Sequence, residues 1–250
     1  MDFVADIGTS WLGNLEVARH LIERAKGAGA NIIKPQWWPA RVYAGHPMER
    51  EALKCLMTPE LAGKLADICH EVGVMVQFSV WEEKAVDSLL EMGVTNFKVA
   101  CSLNRNFDLI RHIAESSAQV LCISSEGRWS IKALSDEGIT KLSRSSIPIT
   151  WYYCVPRYPT KFHQLKFPGF ISRGDGPFRG FSDHTLGWEG AMVATALGAD
   201  IIEKHIMLDA GELRDEFHIE YAHFPDEVCA VNPTVFAVTV NRCLEVERVV

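Results

Sequence analysis

The chain has 250 residues, of which 48% are hydrophobic and 23% charged, with a formal net charge of −7. This is an ordinary globular balance, and its acidic excess argues against a general nucleic-acid or membrane-surface binder, which needs a basic face. No apolar run approaches the ~18 residues needed to cross a bilayer, and the N-terminal MDFVADIG lacks the charged and apolar segments of a secretory leader.

The first strand is expected at 3–7, with Asp6 near its end. A helix over 14–28 follows, placing Leu15, Ala18, Leu21, Ile22 and Ala25 on one face. The second strand, 31–35, carries Lys34, and Gln36 lies just beyond it. A long loop over 37–57 contains Trp37 and Trp38. It ends at Thr58-Pro59-Glu60, an N-cap followed by proline at the first helical position, which predicts a helix over 59–72. Strands at 74–79, 95–100 and 119–124 alternate with helices at 82–92 and 105–116, and a further helix is expected at 135–143. The sixth strand, 148–154, leads into a second long loop, 156–178, rich in Pro, Gly and basic residues, and the helix after it is poorly signalled. The last units are a strand at 179–182, a helix at 188–197, a strand at 200–205 and a helix at 234–248. Four times a helical stretch ends at a glycine (Gly29, Gly73, Gly93, Gly198) and a short apolar strand follows. Glycine supplies the left-handed residue that closes a helix, and short apolar strands suit a parallel sheet buried on both faces. Eight strands alternating with helices in this length predict one α/β domain over 1–250, a (β/α)₈ TIM barrel. An open doubly wound sheet is the alternative.

Polar residues gather at the C-terminal ends of these strands: Asp6, Lys34, Gln36, Gln77, Ser79, Lys98, Ser124, Ser125, Tyr153, Tyr158, Ser182-Asp183-His184 and Glu203-Lys204-His205. A charge in an apolar strand is costly unless paired or solvated, so eight such ends pointing one way imply a polar bowl. His184 and His205, one on each of two adjacent strand ends, suit a divalent ion with waters, substrate oxygens and nearby carboxylates. Two lysines among Ser and Gln suit a phosphate and a carboxylate, and a metal there would polarise an aldehyde oxygen. Seven cysteines, an odd number with no C-x-x-C pair, point to free thiols and a cytoplasmic protein without structural zinc. Cys101 sits where a reactive thiol could matter, and a plain buried cysteine is the alternative. Trp37 and Trp38 could stack on a sugar or pack on the barrel rim, and Arg157, Lys161, Lys166, Arg173 and Arg179 could gate an anion or form a solvated loop.

The segments VADIGTSWLGNLEVARHLIERAKGAGANIIKPQ, VTNFKVAC, YCVPRYPT, GFSDHTLG, ADIIEKHIMLD and FPDE, in this order, resemble the N-acetylneuraminate (sialic acid) synthase family. The resemblance implies a TIM barrel and a carbon–carbon bond-forming transferase. It would join phosphoenolpyruvate to an N-acyl mannosamine-type aldehyde acceptor with Mn²⁺ or Mg²⁺. It implies metal ligands at His184 and His205, and phosphoenolpyruvate contacts at Lys34, Lys98, Ser182 and Ser124. Gln36, Tyr158 and Asp215 would lie around the sugar or the metal, and Asp6, Glu203 and Asp215 would carry acid–base work. The chain departs from the family pattern at Asp6, one methylene shorter than the usual glutamate, at Pro156 in place of an asparagine, and at Leu103, where a glutamate is usual. A leucine cannot move protons. Family members also carry a C-terminal antifreeze-like domain, so the expected partner is a second copy or a separate chain bearing that domain. Competing expectations are a non-catalytic barrel that keeps an anionic ligand, and a Schiff-base aldolase or lyase using Lys98 or Lys204.

Overall fold

The computed structural model describes residues 1–137, 147–170, 176–220 and 224–249. Its sheet has ten parallel segments: β1 (Asp2–Asp6), β2 (Ile32–Lys34), β3 (Gln36–Trp37), β4 (Met75–Val76), β5 (Phe78–Val80), β6 (Asn96–Val99), β7 (Val120–Ser125), β8 (Ile149–Cys154), β9 (Phe178–Asp183) and β10 (Ile201–His205). They amount to eight strands, because two strands are interrupted. Pro35 has no N–H to give the ladder and separates β2 from β3, and Gln77 separates β4 from β5. Across both interruptions the pairing continues: Met75 N donates to Asn31 O, Gln77 N to Ile33 O and Ser79 N to Pro35 O, at 2.9–3.0 Å. With β1 paired to β2 on one side and to β10 on the other, the ring closes as a (β/α)₈ barrel.

The helices are α1 (Leu15–Gly27), α2 (Glu49–Leu53), α3 (Pro59–Val72), α4 (Glu83–Glu91), α5 (Phe107–Glu115), α6 (Arg128–Asp136), α7 (Glu189–Ala196), α8 (Ala210–Phe217) and α9 (Pro233–Glu247). Most start and stop as their local chemistry dictates. Asn14 caps α1 by accepting from Glu16 N and Val17 N, and Thr58 caps α3 by accepting from Leu61 N, with Pro59 in the first turn. Gly29, Gly73, Gly93 and Gly198 all take positive φ, as expected of residues that close a helix before a strand. The apolar face of α1 buries Ala18, Leu21, Ile22 and Ala25 with Val17, whereas Leu15 is only half-buried. Two short helices, α2 and α8, were not anticipated. The helix expected at 135–143 starts instead at Arg128, and residues 138–143 lie outside the described residues.

The core lies mainly between barrel and helices, with a smaller cluster inside the barrel: Val4, Ile32, Cys122, Tyr152 and Ile201. Tyr152 fills the lumen because β9 offers Gly180 beside it. A Cβ at Gly180 would stand 2.6 Å from the Tyr152 ring. Gly180→Ala is therefore expected to cost about 1–3 kcal/mol, the usual range for overpacking, read as a lower urea midpoint. An unchanged midpoint would mean that the ring can move aside. Among the described residues no helix is long and apolar enough to cross a membrane.

Candidate active site

Side chains alternate across a strand with a period of two, and the polar strand ends divide accordingly. One set faces the barrel axis and lines a cavity of about 390 Å³: Asp6, Lys34, Gln36, Ser79, Lys98, Ser124, Cys154, Ser182, His184, Glu203 and His205. The other set faces the helices. Lys204 is fully buried against Asp183 at 3.0 Å and donates to the Thr185 carbonyl at 2.6 Å. Tyr153 stacks on Phe181 and packs against Phe167 and Phe178. Lys204 is thus not a Schiff-base candidate. Tyr158, carried by the loop after β8, lines the cavity mouth half-exposed, its ring 4.2 Å from that of His184 and 5.9 Å from that of His205.

The floor is a buried ion-pair network. Glu203 Oε1 is 2.7 Å from Lys34 Nζ and also pairs with Lys98 Nζ. Lys34 Nζ reaches Asp6 Oδ2 at 2.8 Å, and Gln36 Nε2 donates to both Asp6 oxygens at 3.1 Å. Ser182 Oγ donates to Glu203 Oε1 at 2.5 Å and accepts from Lys98 at 3.2 Å. The Lys98 ammonium sits 4.6 Å over the Tyr152 ring, an attractive cation–π placement. Burial opposes ionisation of Glu203, yet Lys34 and Lys98 outweigh it and hold the carboxyl well below the usual range. Burial likewise opposes ionisation of Asp6, where His205 and then Lys34 prevail. The two lysines diverge. Burial would lower Lys34, but Asp6 and Glu203 raise it. Burial wins at Lys98 and pulls it down, with Lys34 adding repulsion.

Several buried atoms in and beneath this cavity have no hydrogen-bond partner among the described residues: Ser124 Oγ, Glu203 Oε2, His205 Nδ1 and Gln77 Oε1. Such groups are costly unless a ligand or water meets them. His184 is held neutral, its pKa pushed down to about 3 by burial and then by His205. Its Nδ1 donates to the Val155 carbonyl at 3.0 Å, so the lone pair lies on Nε2. A backbone acceptor that fixes the tautomer in this way is the usual support of a metal-binding histidine. His205 adds an unpartnered Nδ1, with Nε2 3.5 Å from Asp6 Oδ2. The pair therefore fits a divalent ion whose shell is completed by substrate or water. Among the described residues, the tight three-donor group lies elsewhere, on the outer surface, where His20 meets Glu212 and Glu216 and Arg24 also holds Glu212.

Other expectations are redistributed. Asp215 does not reach the cavity: it sits on the exposed face of α8, paired with Arg214 at 2.8 Å. The cavity carboxylate on this side is Asp226, missed in the sequence although it lies in the FPDE segment. Asp226 Oδ2 accepts from Thr9 N at 3.0 Å and from Thr9 Oγ1 at 2.9 Å. Gly8 allows the approach, since a Cβ there would stand 2.3 Å from the same oxygen. Leu103 packs on the core, and the wall beside Lys98 consists of Ala100, Cys101 and Ser102. Trp37 and Trp38 pack on the core, and the tryptophan at the cavity is Trp81. Arg157, Lys161 and Lys166 are exposed outside the cavity, Arg179 pairs with Asp200 at 2.8 Å, and Arg173 lies outside the described residues. The 37–57 loop contributes Val42, Tyr43 and His46 instead.

Residues 21–249 match the family model described as NeuB family. An uncharacterized protein of Methanocaldococcus jannaschii is 28% identical over 98% of this chain and 70% of its own length. The N,N'-diacetyllegionaminic acid synthase of Legionella pneumophila is 24% identical over 82% of this chain, and the match spans 64% of that enzyme. The solved N-acetylneuraminic acid synthetase of Leptospira borgpetersenii, in complex with citrate, superposes with a TM-score of 0.83 at 22% identity. It covers 99% of this chain and 84% of that one.

Proposed function

Because the chain belongs to the NeuB family, we propose that it condenses phosphoenolpyruvate with an N-acyl mannosamine-type aldehyde to give a sialic-acid-like sugar acid, with a divalent metal, Mn²⁺ or Mg²⁺, held by His184 and His205. The observation that carries this reading is the juxtaposition, in one cavity, of two buried lysines, an unpartnered serine hydroxyl and a neutral histidine beside a second histidine.

Lys34 and Lys98 offer charge to the phosphate and carboxylate of the enol phosphate, and the Ser124 and Ser182 hydroxyls offer neutral donors. The bound metal would act as a Lewis acid on the acceptor aldehyde. The enol carbon forms the new C–C bond to the aldehyde carbon, whose oxygen takes up a proton and becomes a hydroxyl; water adds to the former enol C–O carbon, and the C–O bond to phosphate breaks, releasing inorganic phosphate and leaving a ketone. A carboxylate must take the proton of that water, and Asp6 and Glu203 are the two that face the axis beside the lysines. Tyr158 and Gln36 line the acceptor end, and Asp226 is the carboxylate placed to bind its hydroxyls. The decisive experiment is phosphate release from phosphoenolpyruvate with Mn²⁺ over a panel of N-acyl mannosamines and other aldoses. Acceptor-dependent release that chelation abolishes supports the reading. No release with any acceptor, from a protein that still binds phosphoenolpyruvate, rejects it in favour of a binding barrel.

The two aspartates give a sharper check. Losing a hydrogen bond to a charged group costs about 1.5–3 kcal/mol. Asp226→Asn is expected to raise the acceptor KM by about tenfold or more, whereas Asp215→Asn leaves it within about twofold. The reverse ranking in steady-state kinetics would return Asp215 to the site. A second reading rests on Lys98, whose lowered pKa suits an amine nucleophile. Borohydride trapping of a pyruvate adduct on Lys98 would favour a Schiff-base aldolase over the condensing reaction.

A further inference from the structure

Asp226 lines the cavity from a turn between α8 and α9, not from a strand end. The path of that turn is set by its backbone. Val231 N donates to the His205 carbonyl at 2.9 Å, Met207 N to the Val231 carbonyl at 3.0 Å, and Ala230 N to the Asp226 carbonyl at 3.0 Å. None of these bonds orients the Asp226 carboxylate, which on a turn can choose among several staggered rotamers. Thr9 makes that choice: its N–H and its Oγ1 both donate to Asp226 Oδ2, at 3.0 and 2.9 Å.

Thr9 is itself held firmly. It is fully buried, and its carbonyl accepts from Leu12 N at 3.2 Å and from Cys55 Sγ at 3.3 Å. Ser10 Oγ, next along, stands 2.6 Å from the carbonyls of Ile7 and Ile206, which ties the same turn to the exit of β10. Gly8, at φ +32°, completes the arrangement. A Cβ there would meet Asp226 Oδ2 at 2.3 Å and Gln36 Nε2 at 3.2 Å, so the two polar groups of the acceptor end converge on a residue with no side chain.

We propose that Thr9 is a positioning residue for the acceptor: it fixes the Asp226 carboxylate at the cavity wall and so sets the affinity for the sugar without touching it. This rests on the reading of Asp226 as the carboxylate that binds acceptor hydroxyls. A carboxylate already held in its binding rotamer loses less freedom when the sugar arrives. A β-branched donor suits the task, because its own χ1 is stiff. A plain staple between the first and last loops would use the same two bonds for stability alone, and the two roles differ in what they do to the acceptor.

The test pairs steady-state kinetics of the whole protein with calorimetric binding of N-acetylmannosaminitol, the reduced acceptor, which has no aldehyde to react. Thr9→Val keeps the branched shape and the backbone N–H and deletes the hydroxyl, whereas Thr9→Ser keeps the hydroxyl. Thr9→Val is expected to raise the acceptor KM and the alditol Kd by about five- to tenfold, the scale of one hydrogen bond to a charged group. The kcat and the phosphoenolpyruvate KM stay within about twofold, and Thr9→Ser restores the acceptor values, since the donor is back. In an Asp226→Ala background Thr9→Val changes the alditol Kd by less than about twofold, because there is no carboxylate left to orient. Unchanged alditol affinity in Thr9→Val, with or without a lower urea midpoint, overturns the positioning role and leaves Thr9 a staple. A rise that Thr9→Ser does not reverse, or an equal rise in the phosphoenolpyruvate KM, overturns it too, as does an alditol that the wild type does not bind. Because the alditol cannot react, these outcomes hold whether or not the wild type releases phosphate, so failure here is distinct from failure of the condensing reaction.

Discussion

Glu203→Ala is expected to lower the unfolding free energy by about 3–5 kcal/mol, the range for stripping one partner from a buried ion pair, and to abolish phosphate release. Glu203 Oε1 pairs with both cavity lysines, but their dependence on it is unequal. Lys34 retains Asp6 at 2.8 Å, whereas among the described residues Glu203 is the one carboxylate within ion-pair distance of Lys98. The variant would leave Lys98, 2% exposed, with a serine hydroxyl and an aromatic face. It must then be buried as an uncompensated cation or give up its proton. The check is urea denaturation of Glu203→Ala, Lys98→Met and the double variant. The double variant should recover part of the loss, because it removes the orphaned charge together with its partner. A loss below about 1 kcal/mol would mean that water or backbone compensates Lys98. The pH dependence has a definite sign. The folded carboxyl titrates below its ordinary value of 4.5, so the folded state binds fewer protons than the unfolded one. Its stabilisation is fully present above that value and declines as the pH falls below it.

The double variant His184→Gln, His205→Gln is expected to bind Mn²⁺ no better than background in calorimetry and to lose at least about three powers of ten in kcat/KM. Lewis-acid assistance is worth several kcal/mol, and each 1.36 kcal/mol is about tenfold in rate. Glutamine keeps a donor for the Val155 carbonyl that His184 now bonds, so the fold should survive. Unchanged Mn²⁺ affinity together with unchanged turnover would remove the metal from these two residues. Loss of both in a protein whose urea midpoint is preserved assigns the effect to the site rather than to unfolding.

The barrel was legible in the sequence because its signals are local. A glycine that must take positive φ marks each of four helix ends, and the strands that follow are short and apolar. The inward cluster was legible for a related reason, since a Lys or Glu inside an apolar strand has few alternatives to a partnered site. What was not legible depends on how far the chain travels between elements. Asp215 stands close to His205 in sequence, yet α8 turns it out to solvent, and the chain returns to the cavity only at Asp226. The one local signal of that short helix is the Asp209–Glu212 capping box at its start, and its attachment is tertiary: Glu212 meets Arg24 at 3.0 Å. The inward and outward assignment of Glu203-Lys204-His205 needs the strand register, because a shift of one residue would exchange Lys204 with its neighbours.

Ring closure also fixes the order in which a growing chain can satisfy its charges. Strand β1 emerges first but is hydrogen-bonded to β10, which follows it by some two hundred residues of synthesis. Until that last strand arrives, Asp6 can already meet Lys34 across the neighbouring β1–β2 pair. Lys98 has no such early partner, since its carboxylate comes with β10. A nascent chain short of Glu203 therefore carries two unpaired sheet edges and an uncompensated lysine, a state open to mispairing until the ring closes. Completion of the ion-paired cavity floor and closure of the sheet are then one event.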